Sequence, residues 1–248
     1  MAAWELALAL AGSFAAAYVG SMLGLVLGTL RLPLIVAIAG SPLAAAGTNI
    51  AISAASAGAG AIRHARERRV DWRLVAWMAP PSVLGAVLGA LLAHDVSERV
   101  LYAAIAAVLV WSGVDLALRP VAPRVRERLR LWPAVAGGFG IGALGGAVGV
   151  ILGTLRMPTL IRGVGLDVKR AAGTNLVVGF LLGVAGFVTH SGGSGVDWPI
   201  LLAGLAGAIP GGWLGAKATG RYNENTLRLA LGAVLVLVGL VFAAQAAL

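Results

Sequence analysis

The sequence predicts an all-α polytopic membrane protein of two inverted-topology repeats. Each repeat is a re-entrant or broken helix hairpin followed by about three transmembrane helices. Three observations lead there: the chain is too apolar for water, it writes itself twice, and its charges alternate between loops. Of 248 residues, 59% are hydrophobic and 12% charged, with mean hydropathy +0.92. Soluble domains average roughly 25% charged residues, and several runs here reach the roughly 20 apolar residues that cross a bilayer.

The duplication is read from offsets. Ala11-Gly12-Ser13-Phe14 matches Ala136-Gly137-Gly138-Phe139 at an offset of 125, which also pairs Gly20 with Gly145 and Gly24 with Gly149. It pairs Gly28-Thr29-Leu30-Arg31-Leu32-Pro33 with Gly153-Thr154-Leu155-Arg156-Met157-Pro158 as well. After one inserted residue the offset becomes 126. It then aligns Ala46-Gly47-Thr48-Asn49 with Ala172-Gly173-Thr174-Asn175, His64 with His190, and Val70-Asp71-Trp72 with Val196-Asp197-Trp198. Gly85 and Gly89 fall on Gly211 and Gly215, a pair of small-residue seams suited to close packing between the halves. The first repeat spans 1–125 and the second 126–248, together one integrated transport unit.

Element by element, an apolar helix from Glu5 to about Leu30 breaks over Gly28 to Pro33, where proline removes a backbone donor and clashes with the preceding turn. Pro33 and its twin Pro158 are therefore expected as hinges, with a short segment, Leu34 to Gly40, starting afresh. After a turn at Ser41-Pro42, helices are expected at about Thr48 to Ile62, Leu74 to Ala93 and Val100 to Leu118. The second half repeats the plan at Thr174 to Val188, Pro199 to Ala216 and Leu227 to Ala247. Trp72, Trp132 and Trp198 stand at helix starts, as interfacial anchors do. The first run has no basic leader and no convincing cleavage site, so no removable signal peptide is expected.

Charge sets the orientation. Arg63 to Arg73 and Arg119 to Arg130 hold five arginines each. Arg162, Lys169 and Arg170 form a third group, and Lys217, Arg221 and Arg228 a fourth. The intervening loops, Ser41 to Ala46, His94 to Arg99 and His190 to Val196, are nearly bare. With basic loops inside, 16 of the 19 basic residues face the cytoplasm. The net charge of +9 thus reflects topology and not nucleic-acid binding. The loop after His64 is then inside while its twin after His190 is outside, so the repeats are inverted about an axis in the membrane plane. Each first helix is then expected to enter and return on one face, with the hairpin tips meeting near the midplane and Arg31 and Arg156 around one central site; full crossings, which would draw Arg156 and Arg162 through lipid, are the alternative.

A charged side chain at the bilayer centre costs roughly 2.5–3.5 kcal/mol on insertion scales. Two arginines in equivalent apolar runs point to an anion site. Gly28, Thr29, Arg31 and Gly153, Thr154, Arg156 supply a broken helix, a hydroxyl and a planar guanidinium fork suited to a carboxylate, sulfonate or phosphate. Bonding of each arginine to hairpin carbonyls, as a staple, is the structural reading of the same residues. Thr48, Asn49, Thr174 and Asn175 are expected to open the following helices, as caps or as lining of the same cavity. His64 and His190, at helix ends, read as capped and solvated. Asp115, four residues before Arg119, reads as an ion pair within its helix. Zero cysteines and three scattered histidines give no metal site, no cofactor and no enzyme chemistry.

The ordered, duplicated set (broken glycine-rich first helix with a proline, then Ala-Gly-Thr, then a basic loop with His and Val-Asp-Trp) resembles the sulfite exporter TauE/SafE family over nearly the whole chain. Carried over by position, the family's glycine-rich turn falls on Gly24 to Gly28 and Gly149 to Gly153. Its proline falls on Pro33 and Pro158, and its Gly-Thr on Gly47-Thr48 and Gly173-Thr174. Val26-Leu27 and Ile151-Leu152 stand where the family often has consecutive glycines. The resemblance implies a multi-pass permease of the cell membrane, usually an exporter, for sulfite, an organosulfonate or another small sulfur-containing anion. The partners so implied are a small anionic substrate and the lipid bilayer. Secondary transport by alternating access is the expected mechanism; a passive anion channel of the same architecture is the alternative.

Overall fold

In the computed structural model the described residues are 2–39, 42–92, 97–118, 130–148, 150–191, 196–219 and 224–247. Outside them lie Ser41, His94, Gly149, Arg221 and the basic stretch 119–129; the side chains of His190 and Arg228 are likewise not described. The described chain is helical: α1 Ala3–Leu23, α2 Gly28–Ala39, α3 Pro42–Arg66, α4 Trp72–Leu92 and α5 Glu98–Leu118 in the first half. The second half has α6 Trp132–Val148, α7 Gly153–Pro158 running into a π-helical turn Thr159–Val164, α8 Val168–Ser191, α9 Trp198–Lys217 and α10 Glu224–Ala247. Four of these, α1, α4, α8 up to Thr189 and α9, are long and apolar enough to cross a membrane by length and composition. The protein is an all-α, multi-pass membrane protein. Trp72, Trp132 and Trp198 point outward at their helix starts.

The first-helix break falls earlier than the proline suggests. α1 ends at Gly24 in the left-handed region (φ 69°, ψ 27°), with the Leu25 amide donating to the Gly20 carbonyl at 2.7 Å and the Gly24 amide to Ser21 at 3.2 Å. That is a Schellman end, which glycine adopts without Cβ strain. α2 then folds back on α1, bringing Leu27 against Gly20 and Leu34 against Gly12. Pro33 lies within continuous α2. Pro158 is followed by the widened π turn rather than by a break, one way a helix absorbs a missing amide. The helix breaks therefore lie at 24–27 and 150–152, ahead of the two prolines. The next helices also start earlier than expected. Pro42 begins α3 at a first-turn position that needs no amide, and Asp167 accepts from the Arg170 amide at 3.0 Å to begin α8. The Ala-Gly-Thr-Asn motifs therefore sit inside their helices, not at their caps.

The packing maps onto itself when the halves are exchanged. α1 runs parallel to α9, with Gly207, Gly211 and Gly215 against the carbonyls of Leu10, Phe14 and Tyr18. Equivalently, α4 runs parallel to α6, with Gly85 and Gly89 against Phe139 and Ala143. A Cβ at these glycines would collide with backbone, so they set the close approach. The twins α3 and α8 run antiparallel, through Gly58–Phe180, Ala54–Gly183 and Ile50–Gly186. So do α5 and α10, through Gly113–Gly232 and Val110–Gly239. Three described basic groups gather at one face. Arg170 bonds Asp71 at 2.9 Å, Arg162 bonds Asp115 at 3.1 Å, and Arg63 and Arg66 lie over the Trp213 ring at 5.7 and 5.2 Å. Asp115 thus pairs across the halves with Arg162; Arg119, its expected partner, is outside the described residues.

Candidate functional site

Two polar clusters lie where the hairpins meet α3 and α8. Arg31 is 3% exposed and Arg156 is 0% exposed. Each turns its Nε to the asparagine of its own half: Arg31 to Asn49 Oδ1 at 3.1 Å, Arg156 to Asn175 Oδ1 at 3.0 Å. The hairpin tips do meet, since a Cβ at Gly153 would stand 2.9 Å from the Val26 amide nitrogen. The arginines do not. Arg31 is held at the level of Asn49 and Ser53 on α3, and Arg156 at the level of Asn175 and Gly179 on α8, on opposite sides of the Ala54–Gly183 contact. At 1.5 Å per residue their centres are about 13 Å apart along this helix pair. The two guanidiniums thus lie in two separate clusters, each bonded to the asparagine of its own half, rather than in one shared clamp.

The two threonines have a different task from the one expected. Thr48 Oγ1 accepts the Asp197 amide and Thr174 Oγ1 accepts the Asp71 amide, both at 3.0 Å. The same aspartates cap the next helices: Asp71 Oδ1 takes the Leu74 amide and Asp197 Oδ1 the Ile200 amide, each at 3.1 Å. The Ala-Gly-Thr-Asn and Val-Asp-Trp motifs are thus two sides of one interlock, made twice between the halves. Gly173 belongs to it, since a Cβ there would strike the Arg69 carbonyl. Thr29 and Thr154, beside Gly28 and Gly153 at the starts of α2 and α7, have buried hydroxyls without a partner. His64 is fully buried against the α8 start rather than solvated, because the chain after α3 folds back and covers it.

What sequence reasoning missed is position 53 and its twin 179. Ser53 Oγ accepts from Arg31 Nη2 at 2.7 Å, and the Asn49 carbonyl accepts from the same nitrogen at 3.1 Å. At the 126 offset the twin is Gly179, and Arg156 Nη1 and Nη2 have no hydrogen-bond partner among the described residues. The offset itself was the available signal. Asn175 Nδ2 meanwhile donates to Gly24 O at 2.7 Å and Gly153 O at 3.2 Å, joining both hairpin tips. The prominent cavity, of about 960 Å³, lies elsewhere. It is an apolar groove between α3, α4, α8 and α9, lined by Ile62, Trp72, Phe180, Ile209 and Trp213 among others, and the arginines do not reach it.

Comparison with known proteins agrees with the geometry. The family described as "Sulfite exporter TauE/SafE" matches residues 8–242. "Probable membrane transporter protein YjnA" of Bacillus subtilis (strain 168) is 23% identical, covering 93% of this chain and 96% of its own length. A "Probable membrane transporter protein" of Xylella fastidiosa (strain 9a5c) is 28% identical over 90% of each chain. No solved structure matches. Matched over residues 8–242, the chain belongs to the sulfite exporter TauE/SafE family of membrane transporters.

Proposed function

We propose that the chain exports a small sulfur-containing anion, sulfite or an organosulfonate, by alternating access between two inverted repeats. The observation that carries the reading is a buried guanidinium at a broken helix in a chain of this family. A buried cation needs a counter-charge or polar partners, and arginine's planar fork suits sulfur oxyanions. Inversion is supported by the antiparallel run of α3 against α8 and of α5 against α10. Twins related by an axis along the membrane normal would run parallel. Three basic groups on one face fit a cytoplasmic side there. The passive-channel alternative calls for a path open from both sides, whereas both arginines are closed off, which favours alternating access.

The test is flux into proteoliposomes holding the purified chain, across sulfite, thiosulfate, sulfoacetate, sulfate and chloride. Sulfite or sulfoacetate should move saturably, with a steep dependence on a counter-gradient; flux linear in concentration and indifferent to counter-gradient would make it a channel. Topology is tested in whole cells with single cysteines, since the chain has none. An impermeant thiol reagent should label a cysteine at 193 and spare one at 66. The reverse would sink the inverted orientation.

A further inference from the structure

The duplicated arginines are in unequal company. Arg31 Nε and Nη2 have three acceptors from Asn49 and Ser53, all on α3. Arg156 is wholly buried, yet beyond its Nε bond to Asn175 both Nη groups are unpaired. The residue that would answer Ser53 is Gly179. A Cβ there would stand 3.2 Å from Arg156 Nη2 and 3.2 and 3.4 Å from the Val26 and Ile151 Cγ2 atoms, one from each hairpin. A desolvated cation with its terminal donors idle is strongly disfavoured unless something negative completes it. The Nη1/Nη2 edge is the side of arginine that takes two oxygens of one anion.

We infer that Arg156 alone holds the transported anion, while Ser53 acts as a resident acceptor that occupies Arg31. The protein then carries one anion at an asymmetric site, not one on each arginine. The ligand class is a small oxyanion offering two oxygens to the free edge. Gly179 leaves the guanidinium without a competing hydroxyl, and the Val26 and Ile151 methyls keep water from screening the pair. This rests on the anion-transport reading and adds which half does the binding.

The experiment is titration calorimetry and thermal melting of the purified full-length chain in detergent, with sulfite and methanesulfonate as probes. Wild type should bind one anion per chain. Arg156→Gln should abolish the heat of binding, and Gly179→Ser should weaken it at least about tenfold by giving Nη2 an internal acceptor. Ser53→Ala should stay within about threefold of wild type. Arg31→Gln should melt lower but bind within the same range; if it does not fold, Ser53→Ala carries that arm. The empty Arg156→Gln protein should melt no lower than empty wild type, since it loses an uncompensated buried charge, and should gain nothing from the anion. Two anions per chain, or Gly179→Ser binding at wild-type strength, would overturn the inference while leaving anion transport intact. Wild type that neither binds nor moves any anion would sink both.

Discussion

The first hairpin and the second share a sequence, a direction of turn and one hydrogen bond, and then part company. In both, an asparagine two turns into the next helix orients the arginine through Nε. In the first half the remaining polarity is absorbed within that half, by Ser53 and the Asn49 carbonyl. In the second half the asparagine amide instead reaches the carbonyls of Gly24 and Gly153, and the guanidinium is left open. Duplication has kept the bonds that hold the scaffold and let one position differ, with Ser53 bonded to Arg31 where Gly179 stands beside Arg156. The halves are alike as architecture and unlike as chemistry.

That contrast is broken or sharpened most strongly at the asparagines. Asn175→Ala removes the partner of a buried cation together with the amide that joins the Gly24 and Gly153 carbonyls, a loss of about 3–5 kcal/mol on the scale of broken buried pairs. Asn49→Ala leaves Arg31 its bonds to Ser53 and to the residue 49 carbonyl, so the expected loss is smaller, about 1.5–3 kcal/mol for one hydrogen bond to a charged group. Unfolding in mixed micelles measures both. Equal losses would mean that the two clusters are energetically interchangeable and that the asymmetry is only geometric.

Much of this was legible beforehand, and the reasons are specific. The all-α, multi-pass class is legible in the length and apolarity of the runs, because membrane insertion forces both to declare themselves in sequence. The break falls several residues before the prolines, at the glycine four residues ahead of α2. Pro33 is carried inside α2 and Pro158 is followed by a π turn, while Gly24 in the left-handed region ends α1 outright. Nothing local reveals that Thr48 meets Asp197 and Thr174 meets Asp71, over a hundred residues away. The meeting of the two arginines was inferred from symmetry alone. Symmetry fixes that they are equivalent, not that they are near.

Where the halves are alike, effects should be alike. Thr48→Val and Thr174→Val each remove one interhelical acceptor for an aspartate amide, for which membrane hydrogen bonds suggest about 0.6–1.7 kcal/mol. The two losses should agree within about 0.5 kcal/mol and add in the double mutant, because the interlocks share no partner. A marked difference between them would show that the interlock too has diverged, and that the scaffold is less symmetric than its bonds.

The smallest expected effect is at Arg170, whose Nη2 lies 2.9 Å from Asp71 Oδ2 with its own side chain 49% exposed. The pair joins the start of α8 to the start of α4 at the basic face, next to the Thr174 interlock. Exposed pairs of this kind contribute about 0–1 kcal/mol and fade as salt screens them. Arg170→Gln should therefore lower stability by no more than that, and the difference from wild type should vanish at about 1 M salt, where the Debye length is near 3 Å. Asp71→Asn should cost more and keep most of its deficit in salt, since the carboxylate also caps α4 through the Leu74 amide and charge-assisted caps are the stronger kind. The measurement is melting of both variants in detergent at low and high ionic strength. An Arg170→Gln loss that exceeds the threonine losses and survives salt would make the Asp71–Arg170 bridge, and not the threonine–aspartate interlock, the principal tie between the halves at this face.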